Sequence, residues 1–261
     1  MSQRIQNRWV CALPSRPAAR LRLLCFPYAG GGTSIYRSWG AQLPPYIELC
    51  AVRLPGREGR FAEPPLRRMD QLLEQLVVGV LPYLDRGFAL FGHSLGALVA
   101  LELARALRRE GLPTPAHVFV SGRRAPQLPD TREPGEPALH TLPDAELIGE
   151  LRQLGRHPFD AEATPELLDL MLPTVRADLE LAETYEYQDD LPLACPITAF
   201  GGHNDEAVTE DSIAAWRAHT RHRFALNMLP GDHFFLHAMA GPILAAVVQD
   251  LAIGSRMRSV P

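Results

Sequence analysis

The chain has 261 residues, with 26 basic and 30 acidic side chains and a formal net charge of -4. Every one of the 26 basic residues is arginine, and the sequence holds no lysine. This excludes a Schiff-base lysine, a lysine general base, a GK[ST] phosphate loop and the strand lysine of protein kinases. The mild negative charge argues against general nucleic-acid binding.

Hydrophobic residues at 46% and charged residues at 21% are ordinary for a globular protein, and the length suits one α/β domain spanning 1–261. The four cysteines, at 11, 25, 50 and 195, form no CxxC pair. We therefore expect small buried thiols in a reducing compartment and no metal site. The polar start lacks the apolar core of a secretion signal, and no run approaches 18 apolar residues. No membrane association is expected, and a cytoplasmic location is.

In chain order, Leu21 to Phe26 is a predicted strand, followed by the turn Pro27-Tyr28-Ala29-Gly30-Gly31-Gly32. A short helix over 34–43 is stopped by Pro44 and Pro45. A second strand runs from Ile47 to Val52 into the loop Arg53-Leu54-Pro55-Gly56-Arg57. Apolar residues at spacings of three and four predict a helix over 69–83. Phe88-Ala89-Leu90-Phe91 is apolar throughout, as a central parallel strand must be. A helix over 95–109 and a strand over 117–121 follow.

The pattern then changes. Residues 124–143 are rich in proline, glycine and charge, and 144–187 are helical without a strand, with Thr164 placed as a cap before Pro165. Alternation resumes with a strand over 197–200, a helix over 211–219, a strand over 223–229 and a last helix over 236–252. This order predicts a mostly parallel doubly wound sheet with helices on both faces. A helical insert over about 124–190 would cap the carboxyl end of the sheet, where such folds bind ligands.

Gly92-His93-Ser94-Leu95-Gly96 matches GxSxG. Composition alone yields that match in roughly one chain in twenty, so the setting carries more weight than the letters. An apolar strand leads in and a long helix leads out, as a strained nucleophile turn requires. A glycine-rich turn with an incidental serine is the plainer alternative. Chain order in this fold places the acid and then the histidine after the serine.

His233 follows the last strand and the turn Leu229-Pro230-Gly231-Asp232, and is the expected base. His203 lies at an earlier strand end. His237 is placed within the last helix as a packing residue, and His93 is too constrained by its neighbour Ser94 to act as its base. Asp205 follows the preceding strand and is the expected acid. Glu206 is reachable by a shifted loop, and Asp232 adjoins His233 unfavourably. Two backbone amides should face a developing oxyanion: that of Leu95 and one from the glycine-rich turn, Ala29 before Tyr28. That turn has neither GxGxxG spacing nor a Walker lysine, so no nucleotide cofactor is expected.

Together, FPYAGGG (26–32), LPGRE (54–58), GHSLG (92–96), FGGHND (200–205) and LPGDHFFL (229–236) resemble the type II thioesterases of polyketide and nonribosomal peptide pathways. The resemblance spans about residues 20–251. It implies the α/β-hydrolase fold, with Ser94 as nucleophile, His233 as base, Asp205 as orienting acid, and Ala29 and Leu95 as oxyanion donors. It also implies a mobile helical lid over a channel for a phosphopantetheine arm.

The implied substrate is an acyl-phosphopantetheine on an acyl or peptidyl carrier protein, hydrolysed to clear stalled or aberrant acyl groups. A monomer is expected. A generic carboxylesterase or lipase, or a catalytically silent binding module on the same scaffold, are the competing readings. Carrier proteins are commonly acidic, so Arg53, Arg57, Arg60, Arg123 and Arg124 are candidate docking residues, with structural or solvated roles as the alternative.

Overall fold

The computed structural model describes residues 8–129, 136–155 and 164–257. Within the expected insert, 130–135 and 156–163 lie outside the described residues. Seven strands form one sheet: β1 (Val10–Ala12), β2 (Leu21–Phe26), β3 (Ile47–Val52), β4 (Gly87–His93), β5 (Val118–Ser121), β6 (Ile197–Gly202) and β7 (Phe224–Leu229). Their spatial order is β1-β3-β2-β4-β5-β6-β7. All neighbours are parallel except β1, which runs antiparallel to β3 with Val10 opposite Val52. Three residues are too few to display an alternating pattern, so β1 left no signal in the sequence.

The helices are α1 (Trp39–Gln42), α2 (Met69–Val80), α3 (Leu95–Arg109), α4 (Asp144–Gln153), α5 (Pro165–Glu183), α6 (Glu210–Ala214) and α7 (Ala240–Met257). Strand side chains alternate between two cores, as the two-residue period demands. Leu24, Phe26, Leu90, Val118 and Val120 point into one core with α2 and α3. Leu23, Cys25, Ala89, Phe91 and Phe119 point into the other with α1 and α7. A third, smaller cluster joins α4 to α5 through Leu147, Leu151, Leu172 and Val175. Three cysteines are buried and Cys11 is half-buried, and none of the four is in a disulfide. No helix among the described residues is long and apolar enough to cross a membrane.

Four predicted helices differ from those observed. The segment 34–43 splits into a 3-10 turn, Thr33–Tyr36, and the short α1. Tyr36 and Trp39 are both buried, and a three-residue offset suits 3-10 geometry. α2 ends at Val80, and Leu81–Tyr83 tighten into a 3-10 turn at Pro82. The predicted helix 211–219 is α6 followed by a 3-10 turn over Ala215–His219. The last helix starts at Ala240, later than the spacing predicts. Phe234, Phe235 and Leu236 are all buried. Three consecutive side chains cannot share one face of a helix, so this segment turns instead.

His219 is buried at the end of the 3-10 turn after α6. Its Nε2 lies 2.5 Å from Gln127 Oε1, an acceptor. Its Nδ1 lies 3.4 Å from Arg105 Nη2, which can only donate. These partners fit only the neutral ring with its proton on Nε2. Burial, and then the Arg105 charge, lower its pKa to about 4. An unfolded histidine titrates near 6.5, so the unfolded chain binds the extra proton between about pH 6.5 and 4 and the folded one refuses it. This contribution to stability is full above pH 6.5 and is lost as pH falls towards 4. Chemical denaturation of His219→Gln should therefore show a smaller loss of stability than the parent between pH 6.5 and 4. Equal acid losses in both proteins would contradict the assignment.

Candidate active site

The sheet's spatial order opens a crevice between the carboxyl ends of β2 and β4. α1 leaves β2 toward one core and α3 leaves β4 toward the other, so the two loops diverge there. Ser94 stands at the β4 side of this gap with φ 53° and ψ -116°. A non-glycine residue with positive φ costs about 1–3 kcal/mol and needs support from its surroundings.

Two hydrogen bonds supply part of that support. Ser94 N–H donates to the Ser121 carbonyl at 2.8 Å, and the Ser94 carbonyl accepts from Ala97 N–H at 3.0 Å. The flanking glycines supply space. A side chain at Gly92 would overlap the Gly96 carbonyl, and one at Gly96 would overlap the Phe26 carbonyl. Leu95 is the first residue of α3, so its N–H has no intrahelical acceptor and lies at the positive end of the helix dipole.

The loops after β6 and β7 bring Asp205 and His233 together. His233 Nδ1 lies 2.7 Å from Asp205 Oδ2, and both side chains are buried. The other carboxylate oxygen accepts Ala207 N–H at 3.1 Å. With a proton on Nδ1 held by the carboxylate, Nε2 presents its lone pair as a base. Glu206 and His203 are exposed. Asp232 Oδ1 accepts Phe234 N–H at 2.8 Å, within its own turn.

His93 has a role that its position beside Ser94 did not reveal. Its Nε2 donates to the His233 carbonyl at 2.9 Å, and its Nδ1 meets the Ser121 hydroxyl at 2.9 Å. Burial, reinforced by nearby His233, holds its pKa well below the ordinary histidine value. It is a neutral ring that fixes the backbone of the His233 loop. The His233 N–H donates to the Leu154 carbonyl just beyond α4, at 3.2 Å. His237 lies in the turn before α7 and not within the helix. Its Nε2 meets Tyr28 Oη at 3.1 Å, tying the loop after β2 to the loop after β7.

The turn after β2 is also held from the insert. Gly31 N–H donates to the Tyr28 carbonyl at 2.9 Å. Gly30 N–H donates to Asp178 Oδ2 of α5 at 2.7 Å. With these two amides engaged, Ala29 is the next residue toward the strand. Arg57 closes the arrangement. Its Nη1 and Nη2 each lie 2.7 Å from an Asp178 carboxylate oxygen, and Nη1 also donates to the Gly31 carbonyl at 2.9 Å.

Arg57 and Asp178 are 6% and 2% exposed, so Arg57 is not a docking residue. Nor is Arg60, which is buried over the Trp9 ring and paired with Glu63. Arg53 pairs with Glu58, and Arg123 and Arg124 are half-buried. The LPGR motif flagged Arg57, but nothing in the sequence linked it to a partner 121 residues away.

The His93 contacts yield a direct test. His93→Leu leaves the His233 carbonyl and the Ser121 hydroxyl without their buried partner. The expected cost is about 1–3 kcal/mol. For a chain of this size that is a fall in Tm of roughly 2–12 °C by thermal unfolding. An unchanged Tm would show that the two bonds do not support the loop.

Comparison with known proteins gives this geometry a context. The thioesterase domain family model matches residues 21–251. The gramicidin S biosynthesis protein GrsT of Aneurinibacillus migulanus is 45% identical over 88% of this chain and 89% of its own. The solved structure of RedJ, a thioesterase from the prodiginine biosynthetic pathway in Streptomyces coelicolor, is 41% identical. It superposes with a TM-score of 0.84 over 90% of this chain and 92% of its own. YbtT, a type II thioesterase from the yersiniabactin nonribosomal peptide/polyketide pathway, is 31% identical, with a TM-score of 0.82 over 94% and 99% of the two chains. The chain thus belongs to the thioesterase domain family, as an enzyme of the α/β-hydrolase fold similar to the type II thioesterases.

Proposed function

We propose that this protein hydrolyses acyl thioesters carried on the phosphopantetheine arms of acyl or peptidyl carrier proteins, releasing stalled or aberrant acyl groups. The observation that carries the reading is the buried 2.7 Å contact of His233 with Asp205 alongside a serine held at φ 53° on a strand-to-helix turn. In this reading Ser94 is the nucleophile, His233 the general base and Asp205 the group that orients it. Ala29 and Leu95 N–H donate to the oxyanion. The helices between β5 and β6 act as a lid, within a single domain that works as a cytoplasmic monomer. The pathway names of its relatives support the substrate class.

The reaction proceeds in two halves. His233 Nε2 takes the Ser94 proton as the hydroxyl oxygen attacks the thioester carbonyl, and the negative charge that develops on the carbonyl oxygen is met by the two amides. Collapse breaks the carbon–sulfur bond, and the pantetheine thiol leaves with the proton from His233. Water then attacks the acyl-serine, with His233 again accepting a proton; collapse breaks the bond to Ser94 Oγ, His233 returns the proton to that oxygen, and the acid departs. A thiolate is a better leaving group than an amine, so less help is needed at collapse than in amide hydrolysis. Asp205 keeps the proton on Nδ1 throughout, so that Nε2 remains the basic nitrogen.

Ser94→Ala should remove covalent acyl-enzyme from the intact mass spectrum and lower turnover at least about 1,000-fold with the fold unchanged. Retained turnover would exclude Ser94 as nucleophile. Asp205→Asn should lower kcat by about 10,000-fold, and Glu206→Gln should leave it near the parent value. The reverse result would move the acid to Glu206. For the substrate, mass spectrometry of a panel of acyl-loaded carrier proteins should show loss of the acyl group only when the enzyme is present. Faster cleavage of simple oxygen esters than of carrier thioesters would favour a general carboxylesterase. No hydrolysis and no labelling of Ser94 by a fluorophosphonate would favour a binding module.

A further inference from the structure

The run Gly30-Gly31-Gly32 leaves the loop after β2 free to adopt many conformations, because glycine populates positive and negative φ about equally. One conformation is nevertheless selected. Gly30 has φ 75° and stands third in the turn Tyr28–Gly31, which is closed by the Gly31 N–H bond to the Tyr28 carbonyl. Positive φ at the third position is the mark of a type II turn. Its middle peptide, between Ala29 and Gly30, can rotate to the type I arrangement with little steric cost when the third residue is glycine. Something outside the turn must hold that peptide.

That restraint comes from α5. The middle peptide's N–H, on Gly30, donates to Asp178 Oδ2 at 2.7 Å. In the rotated arrangement the Ala29 carbonyl oxygen would be brought toward the same carboxylate, which repels it. Asp178 is itself oriented by the two-pronged Arg57 contact, and Arg57 holds the Gly31 carbonyl on the other side of the peptide. Val175 closes on Gly30 so tightly that a side chain there would overlap it. One helical turn away from Asp178, the Thr174 hydroxyl donates to the Gly56 carbonyl at 2.7 Å, seating α5 on the loop that carries Arg57. Arg57 is the ion-pair partner of Asp178 among the described residues, and a buried fork of this kind is geometrically demanding.

We infer that Asp178 and Arg57 are positioning residues: by holding the Gly30 amide and the Gly31 carbonyl they anchor the Tyr28–Gly31 turn, and so set where the Ala29 N–H, on the preceding peptide, stands relative to the transition state. Oxyanion stabilisation then requires α5 to be seated on the turn. The inference rests on the proposed role of Ala29. Neither residue touches the reacting atoms, and each acts through the turn.

The test uses a small acyl thioester and a boronic acid of matching acyl shape, which forms a tetrahedral anion on a reactive serine. Asp178→Asn should lower kcat roughly 10- to 100-fold with KM within about twofold, since small displacements of catalytic groups carry costs of this size. Boronate affinity should fall by the same factor, and affinity for the released thiol, which has no oxygen to place at the oxyanion position, should not. Arg57→Met combined with Asp178→Leu removes both charges together. This avoids an unpaired buried ion, so the fold is retained if the single variant misfolds, and the same losses are expected. A folded variant with parental kcat and boronate affinity overturns the inference, as does a loss lying entirely in KM. If the parent itself fails to bind the boronate and Ser94→Ala remains active, the proposed function fails instead, which separates the two outcomes.

Discussion

The backbone of Ser94 imposes a constraint that much of the carboxyl edge of the sheet exists to satisfy. A serine at φ 53° is held there against a local preference for other conformations, and the holding groups come from several parts of the chain. β5 contributes the carbonyl of Ser121, β2 contributes the backbone that excludes a side chain at Gly96, and α3 begins at once, so that its Ala97 amide holds the Ser94 carbonyl. The strain is tolerable because the strands on either side are parallel, apolar and buried on both faces. They cannot shift by one residue without moving every side chain into the opposite core.

The loops around Ser94 are fastened mainly to one another. His93 holds the carbonyl of His233, Leu154 holds its amide, Tyr28 meets His237, and Asp178 holds Gly30. Each bond joins segments far apart in sequence. A glycine-rich loop acquires a defined shape in this way without losing the absence of side chains that lets it approach an acyl group. The buried Arg57–Asp178 pair follows the same logic: removing both charges from water is costly, and the cost is tolerated where the pair imposes geometry.

What could be read in the sequence follows from range. The parallel strands were legible because each is a short, wholly apolar run between polar turns, as in Phe88-Ala89-Leu90-Phe91. Ser94, Asp205 and His233 were legible as candidates because each follows a strand that announces itself. The three-residue β1 carries too little pattern, and the late start of α7 was hidden because Phe234, Phe235 and Leu236 look like helix until their burial is known. Asp178 reads as one more polar letter on an amphipathic helix, and Arg57 as a surface charge. Only the fold, which brings residues 57 and 178 together, reveals that each is the other's partner. His93 was set aside by its neighbour in sequence, when its contacts lie 28 and 140 residues away.

The contact of α5 with the Tyr28–Gly31 turn also has a thermodynamic side. If seating the helix favours the turn that binds a tetrahedral anion, then by reciprocity the anion favours the seated helix by the same free energy. A substrate progressing toward its transition state would therefore tighten the cover above it, and collapse to the neutral carbonyl of the acyl-serine would loosen it. Closure and release would then be timed by the charge of the reacting carbonyl oxygen, with no separate signal needed.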